Sequence, residues 1–524
     1  MSIKIKIKTS TYYDSVTLMV AARELLKFPG VEDAAIVMGT QSNKDILKQN
    51  NLYSAEIDSA TPNDLIIAVR MPGPADAVLA EAENLLNKKS EFTAGANAYQ
   101  PKTVRSVLKT QPGSNLAIIS VAGRYATGET WEALHQGLHV LLFSDNVSLE
   151  DEIALKKYAA QNGLLLMGPG AGTAILNGVG LGFANALPKG PVGIVSAAGT
   201  GLQEVSTLLA KHGVGITQGI GTGGRDLKKE VGGIMMLQGL MALQADADTK
   251  VIVLISKPPA EEVARKILDQ ARLSKKPTVI CFLGQSLPMG KGEKIYSTTT
   301  LEEAALQAAR LAGADLPTEA ENFNKQHKEI SNKAEQFRTC LKPGQKYLRG
   351  LFSGGTLCYE AQVIWSELVK KPVLSNAPLE ESQKMPDSNK SQGHCAIDLG
   401  EEEFTVGRPH PMIDNDLRIR RILQEARDAE VAVIMLDVVI GYGAHSDPAS
   451  ELAAAARQAI QLAGKEERQL IIVASVTGTE HDPQCLSRTT KTLEEAGIIV
   501  CESNAAAAHL TAAILTLDYW RLNV

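Results

Sequence analysis

The chain has 524 residues, of which 44% are apolar and 21% are charged, and its formal net charge is −6. This length exceeds what one hydrophobic core supports, so we predict three or four soluble globular domains. The acidic balance without a dense Lys/Arg cluster argues against nucleic-acid binding, and no apolar stretch is long enough to span a bilayer.

The cysteines and the first residues suggest where the protein works. The six cysteines are scattered and no two have CxxC spacing, so we expect no disulfide framework and no metal site. Residues 3–8 alternate isoleucine with lysine, which is not the pattern of a signal peptide. We therefore expect a protein of the reducing cytoplasm.

Residues 1–100 show strand and helix patterns in the order β-α-β-β-α, which predicts a ferredoxin-like or ACT-like α+β domain whose first strand has one wet face. Residues 103–186 then alternate strands with helices, as in a doubly wound parallel sheet. No GxGxxG follows a strand there, so a complete dinucleotide site is not indicated. Two further α/β domains are expected at 187–315 and 344–524, separated by a polar linker at 316–343.

A glycine-rich corner follows the apolar strand at 192–195. Ser196 is expected to cap the next helix, and Gly199, Thr200 and Gly201 form the turn into it. Free backbone N–H groups at the positive end of a helix dipole make such a corner an anion site. The alternative is an ordinary βα turn, which also favours serine and glycine.

A second copy of this pattern begins at Tyr347 and favours the anion site. It passes from a strand through Ser353 into a turn of Gly354, Gly355 and Thr356. The elements that follow the two corners match in order, which indicates an internal duplication. Two such units can face each other across a pseudo-two-fold axis, so that two helix N-termini converge on one small anion.

Two further loops carry candidate ligand contacts. Gly221, Thr222 and Gly223 leave amides exposed beside Arg225, which suits a phosphate or a carboxylate, although a flexible loop with a solvated arginine has the same composition. Arg408 and His410 lie in a loop that two prolines stiffen, and the alternative is a helix-entry loop with a structural histidine.

Three other polar side chains at predicted strand ends are candidates for the site. Lys257 ends a strand and either faces the same edge of the sheet or is a surface charge. His445 and His481 follow strands as well. Each is a candidate acid, base or anion contact, or a loop-ordering residue, and the sequence does not rank them.

Several of these motifs carry a resemblance to known families. Gly168-Pro169 and the first corner resemble the α subunit of succinyl-CoA synthetase, and the second corner resembles the carboxy-terminal domain of its β subunit. Nearly the whole chain resembles the FdrA family, on residues 143–147, 219–226, 255–259, 350–358 and 407–414. The fold implied is α/β: several flavodoxin-like or Rossmann-like doubly wound domains, the one at 103–186 a truncated CoA-binding-like domain, behind the ferredoxin-like N-terminal domain.

The chain departs from the synthetases in ways that bear on chemistry. The region 289–299, where they carry a phosphorylated histidine, contains none. The nucleotide-binding grasp domain is also missing from this sequence, and residues 1–100 replace the glycine-rich half of the CoA-binding domain. CoA binding is therefore doubted.

The resemblance to FdrA implies a subunit of an oxamate carbamoyltransferase of anaerobic allantoin catabolism, acting with companion subunits. Oxalurate and phosphate would give oxamate and carbamoyl phosphate. The amides of Ser196–Gly201 and Gly354–Thr356 would hold the phosphoryl oxygens, Arg225 or Arg408 a carboxylate or phosphate, and His410 would assist proton transfer. Two alternatives stay open: an NDP-forming acyl-CoA synthetase subunit that binds CoA, and a non-catalytic scaffold or regulatory subunit. The acceptor and a homodimeric state are left undecided.

Overall fold

The computed structural model describes residues 2–11, 13, 15–49, 52–87, 101, 103–121, 123–288, 290, 292–369, 371–405 and 409–516. It separates into two compact units: Met1–Gly113 with Glu401–His410, and Ser114–Gly400 with Pro411–Val524. The α/β class and the small N-terminal α+β region expected from the sequence are both confirmed.

The first unit is a three-stranded antiparallel sheet with helices. Its elements are β1 (Ser2–Lys8), α1 (Ser15–Leu26), β2 (Asp33–Met38), α2 (Gln41–Gln49), β3 (Leu65–Met71), α3 (Asp76–Asn87) and α4 (Val104–Thr110). The strand order is β1-β3-β2. Ile5 and Ile7 of β1 pack into a small core on one face. On the other face, expected to be wet, Lys6 and Lys8 reach Glu83 of α3 at 3.0 and 3.5 Å.

The second unit begins with a small parallel sheet in the order β4-β5-β6. Its elements are β4 (Leu116–Ile119), α5 (Gly123–His135), β5 (His139–Leu142), α6 (Leu149–Gln161) and β6 (Leu166–Met167). The carboxyl ends of parallel strands are the usual ligand edge of such a sheet. Residues 143–147 and 168–172 both lie at this edge, as expected.

A seven-stranded sheet follows, in the order β13-β12-β11-β9-β10-β7-β8. Its elements are β7 (Thr173–Leu176), β8 (Val179–Gly182), β9 (Lys189–Ser196), α7 (Gly199–Lys211), β10 (Ile216–Gly221), α8 (Ile234–Ala245), β11 (Val251–Ser256), α9 (Glu261–Arg272), β12 (Thr278–Phe282), β13 (Ile295–Thr298) and α10 (Leu301–Leu311). Strands β9 to β13 are parallel, whereas β7 and β8 form a hairpin that joins β10 antiparallel.

A six-stranded parallel sheet completes the unit, in the order β15-β16-β14-β17-β18-β19. Its elements and the helix before it are α11 (Glu319–Arg338), β14 (Tyr347–Phe352), α12 (Gly355–Leu368), β15 (Val373–Ser375), β16 (His394–Asp398), α13 (Glu402–Thr405, in the first unit), α14 (Asp416–Glu425), β17 (Val431–Val439), α15 (Pro448–Lys465), β18 (Ile471–Thr477), α16 (Leu486–Glu494), β19 (Ile499–Cys501) and α17 (Asn504–Leu515).

The two large sheets repeat one topology. The run β13-β12-β11-β9-β10 has the same connectivity as β19-β18-β17-β14-β16, so β9–α7 corresponds to β14–α12 and α10 corresponds to α17. One apolar core spans both halves, since buried residues of α7 and α10 share a cluster with those of α12 and α17. The two halves therefore pack as one body around helices α7, α10, α12 and α17.

Helix α11 occupies most of the segment expected as a linker. Ala334 of this helix is buried in the shared core. Arg338 at its end donates to the carbonyl oxygens of Ile514 and Thr516, at 3.1 and 3.0 Å, near the end of α17. A guanidinium is favourable at a helix C-terminus, so α11 is fastened to the second half.

Candidate functional site

The two glycine corners face each other at the first turns of α7 and α12. A Cβ placed on Gly201 would lie 3.0 Å from Cγ2 of Thr356, and one placed on Gly354 would lie 2.8 Å from Cγ2 of Thr200. Each contact pairs a glycine of one corner with a threonine of the other. Glycine at 201 and 354 leaves room for the threonine side chain of the facing corner. We call the space between the first turns of α7 and α12 the crevice.

Both helices enter the crevice without a side-chain cap. The N-cap of α7 is Ala198 and that of α12 is Gly354, and neither residue has a polar side chain. The first N–H groups of a helix have no partner within the helix itself. The crevice therefore joins two positive dipole ends and their N–H groups, which favours an anion.

Ser196 does not cap α7, contrary to the expectation. Its hydroxyl accepts from the N–H of Ala198 at 3.0 Å and donates to the carbonyl of the same residue at 2.7 Å. The helix begins at Gly199, directly after the loop that this hydroxyl closes. Ser196 shapes the corner, and the N–H groups of Gly199, Thr200 and Gly201 lie beyond it.

A buried carboxylate, that of Asp437, binds the backbone of the second corner. Asp437, fully buried in β17, accepts from the N–H of Ser353 at 2.7 Å and the N–H of Gly354 at 2.8 Å, and from the Ser353 hydroxyl at 2.9 Å. The buried guanidinium of Arg418 pairs with the same carboxylate at 3.2 Å. The N–H of Gly354, expected to bind a ligand, is thus already engaged, which leaves the first turn of α12 for an anion.

Three more side chains surround the first turn of α12. Asp398, at the end of β16, is 3% exposed, and its carboxylate lies where a Cβ on Gly355 would be. The Lys257 ammonium lies 5.4 Å from the ring centre of Tyr359. Burial raises the pKa of the Cys358 thiol well above its usual range, Asp398 adds to this rise, and Lys257 opposes it. The raised pKa disfavours the thiolate, which is the nucleophilic form of a cysteine.

The loop after β10 is fastened to the small parallel sheet. Arg225 pairs with Glu152 of α6 at 2.8 Å and donates to the carbonyl of Val147 at 2.8 Å. The buried ammonium of Lys156 binds Glu152 and Asp226 at 2.8 and 2.9 Å. The ion pairs of Arg225 and Lys156 with Glu152 and Asp226 account for these four charged side chains without a ligand. An anion-binding role for Arg225 stays a prediction.

The same loop runs beside the first corner. The N–H of Thr222 donates to the carbonyl of Ser196 at 2.8 Å, and its own carbonyl accepts from Lys156 at 3.0 Å. Gly223 has φ +87°, and a Cβ there would lie 2.7 Å from the carbonyl oxygen of Pro169. Gly221 ends β10 directly beside Ser196. The loop after β10 therefore lies next to the first glycine corner.

The structure bears differently on Arg408 and on the three candidate histidines. Arg408 lies outside the described residues, and His410 belongs to the first unit, so their joint role stays a prediction. His445 is buried; its Nδ1 accepts from the N–H of Asp447 at 3.0 Å and its Nε2 lies 3.3 Å from Glu451, which indicates loop ordering. His481 is exposed.

Sequence reasoning missed a symmetric pair of buried carboxylates. Glu204, five residues into α7, accepts from the N–H of Asn504 at 3.0 Å, the first residue of α17. Glu360, five residues into α12, accepts from the N–H of Leu301 at 2.7 Å, the first residue of α10. Each half thus caps a helix of the other. The common spacing after the two glycine corners was the signal in the sequence.

These carboxylates influence one another and a third one, Glu302. Burial raises the pKa of Glu360 to about 8, and the charges of Glu204 and Glu302 add to the rise. Burial likewise raises the pKa of Glu302 to about 7. The Asn504 side-chain amide donates to Glu360 at 2.7 Å. The pair is therefore held by hydrogen bonds between the halves.

Neither a metal-ligand cluster nor a membrane-spanning helix occurs in the described ranges. No group of three or more His, Cys, Asp or Glu side chains there is arranged to hold a metal ion. No helix in that part of the chain is long and apolar enough to cross a membrane.

Three domain families match parts of this chain. "AllF, heavy metal-associated domain" matches residues 1–102, "CoA binding domain" matches 188–284, and "CoA-ligase" matches 351–514. The last two ranges contain the two glycine corners. Each half of the second unit therefore matches a domain family of its own.

Relatives were found among known proteins and solved structures. The protein YahF of Escherichia coli, described as uncharacterized, is 44% identical over 506 residues, 96% of this chain and 97% of YahF. The succinate–CoA ligase [ADP-forming] subunit alpha 1 of Archaeoglobus fulgidus is 29% identical over 215 residues, 39% of this chain and 72% of that subunit. A solved ATP citrate lyase from Methanothrix soehngenii is 13% identical with a TM-score of 0.36, over 80% of this chain and 84% of that one.

Proposed function

We propose, from the premise that the chain belongs to the family of YahF and carries domains of the CoA-ligase type, that it binds an acyl phosphate in the crevice and transfers the acyl group. The meeting of two uncapped helix N-termini carries this proposal. Unpaired N–H groups and two dipole ends around one small space suit a phosphoryl group better than a neutral ligand.

The chemistry is acyl exchange with phosphate. A phosphate oxygen attacks the acyl carbon of the donor, the bond from that carbon to the donor's sulfur or nitrogen breaks, and the donor leaves with a proton. The N–H groups of the two first turns hold the phosphoryl oxygens in place. The protonated Cys358 supplies no competing nucleophile, and the absence of histidine from residues 289–299 leaves phosphate itself as the attacking group.

The first candidate donor is a CoA thioester. The CoA-ligase and CoA-binding matches, and the resemblance to a succinate–CoA ligase subunit, support it. The chain would then be one subunit of an NDP-forming acyl-CoA synthetase, with the nucleotide site on a companion chain. CoA binding, doubted from the sequence, is part of this candidate.

The second candidate is carbamoyl transfer of the kind implied by the FdrA resemblance. The match of residues 1–102 to the AllF domain favours it. Phosphate would attack the carbamoyl carbon of oxalurate, and oxamate would leave as carbamoyl phosphate forms. This candidate also includes companion subunits in the cytoplasm, a place in allantoin catabolism and a contribution of Arg408 and His410.

Calorimetric titration of the purified chain with inorganic phosphate, carbamoyl phosphate and CoA tests the proposal. We expect phosphate binding that Gly201→Ala weakens, because the new methyl group would press on Thr356. Gly464→Ala is the matched control, since nothing lies within 4 Å of a Cβ there. Tight CoA binding selects the synthetase, and carbamoyl phosphate binding without CoA selects the carbamoyltransferase. Silence from all three ligands would favour the scaffold.

A further inference from the structure

The carboxyl groups of Glu204 and Glu360 lie in the interface between the two halves of the second unit. Both side chains are buried, Glu204 in α7 and Glu360 in α12. Glu204 accepts the N–H of Asn504, and Glu360 accepts the N–H of Leu301. Each carboxyl group thus binds the start of a helix from the other half, so its charge bears on how firmly the halves pack.

Asn504, the first residue of α17, joins the two carboxyl groups. Its backbone N–H donates to Glu204 at 3.0 Å, and its side-chain N–H donates to Glu360 at 2.7 Å. The hydroxyl of Thr477 in β18 donates to the other oxygen of Glu204. Asn504 is fully buried, and its Oδ1 atom has no hydrogen-bond partner among the described residues. A protonated carboxyl group beside this amide adds a donor that an ionised one lacks.

Carboxyl groups of this region change their charge near neutral pH. Burial raises the pKa of Glu360 to about 8 and that of Glu302 to about 7. Burial keeps three neighbours uncharged between pH 6 and pH 9, because it raises the pKa of the Cys281 and Cys501 thiols and lowers that of the His509 imidazole. The other charged or titratable side chains around them, on α7, α10, α11 and just before α17, are Lys211, Glu303, His327, Lys333 and Glu502.

We propose that a proton held by the Glu204–Glu360 pair locks the two halves together, and that its loss at alkaline pH loosens the first turns of α10 and α17. With the proton bound, both carboxyl groups accept their N–H donors and the pair carries at most one charge. Without it, two like charges lie in the shared core, and water must enter to screen them. The step is an acid dissociation, in which an O–H bond breaks and the proton passes to the solvent. It goes beyond the proposed function, because it requires no ligand in the crevice.

The size of the effect follows from the titration of Glu360. Its pKa is about 8 in the packed interface, and 4.5 is the ordinary value that applies once the interface opens to water. The proton therefore stabilises the packed interface fully below pH 4.5, and this contribution is lost as the pH rises through 8. Between pH 6 and pH 9 the equilibrium constant for opening should increase about 100-fold.

Hydrogen exchange of the full chain at pH 6 and pH 9, corrected for the intrinsic exchange rates and read by mass spectrometry, tests this inference. Amide exchange reports local opening. In the wild type, we expect protection at the starts of α10 and α17 to fall about 100-fold between the two pH values. Glu360→Gln keeps an acceptor for the N–H of Leu301 and has no charge to gain, so its protection should be equal at both. Peptides from β3 in the first unit serve as the internal reference and should not change.

Two further variants complete the test. Glu367→Gln, on the exposed side of α12, should behave as the wild type does. If Glu360→Gln does not fold, Glu204→Gln, which removes one of the two charges, should reduce the fall in protection. Protection that stays constant in the wild type, or that falls equally in the wild type and in the folded Gln variant, overturns the inference. Neither result touches the proposed function, which depends on ligand binding in the crevice.

Discussion

The replacement of Glu360 by glutamine tests whether its carboxyl group is protonated in the folded protein. Burial holds the pKa of Glu360 at about 8, against 4.5 for an exposed glutamate. The folded state therefore binds a proton more tightly than the unfolded state does between these values. This stabilisation is complete below pH 4.5 and is lost as the pH rises through 8, with a full span on the order of 5 kcal/mol.

A glutamine carries no charge at any pH and keeps an acceptor for the N–H of Leu301. We expect Glu360→Gln to match the wild type within about 1 kcal/mol near pH 5 and to be the more stable protein at pH 8. Trp365 lies buried in the same helix, so its fluorescence during urea unfolding reports on this region. Glu367→Gln, on the exposed side of α12, is the control and should change nothing at either pH.

One result would refute the reasoning. If Glu360→Gln is destabilised equally at pH 5 and pH 8, then the carboxylate is ionised in the folded state and its hydrogen bonds stabilise the charge. The Asn504 side-chain N–H would then donate to residue 360 in the wild type and in Glu360→Gln alike. The Asn504 Oδ1 atom has no hydrogen-bond partner among the described residues.

The other predictions concern the crevice and its support. Thr356→Val should lower phosphate affinity about 3- to 10-fold in calorimetry, because Thr356 lies in the first turn of α12 beside the crevice, and equal affinity would remove Thr356 from the site. Asp437→Ala leaves Arg418 buried without its carboxylate and should cost about 3 to 5 kcal/mol in urea unfolding, and a loss below 1 kcal/mol would contradict the pairing. Cys358 should resist iodoacetamide in the native protein at pH 8 while the exposed Cys340 reacts, as mass spectrometry of peptides will show.

The backbone of the site was predictable from the sequence, whereas its charges were not. Glycine spacing in two matching segments was sufficient to predict two facing helices, because the close approach of Gly201 to Thr356 permits no side chain. The partners of Asp437 and Glu360 lie on elements distant in the chain, and single-sequence patterns carry no information on such contacts. The contacts of Arg225 with Glu152 were missed for the same reason.

One miss was avoidable. The hairpin of β7 and β8 turns at Asn177 and Gly178, which adopt φ values of +52° and +81°. Asn-Gly is the strongest short-range signal of a tight hairpin turn, because both positions require positive φ. The alternating strands and helices predicted for residues 103–186 do not include this hairpin.

The exchanged caps of Glu204 and Glu360 bear on how the two halves depend on each other. Helix α10 receives a carboxylate from the second half, and helix α17 receives one from the first. Two chains obtained by dividing the protein before α11 would each expose an apolar surface and a helix start that lacks its acceptor. Such fragments should be unstable alone and regain structure on mixing, so the covalent connection supplies proximity and the carboxylates supply the mutual recognition.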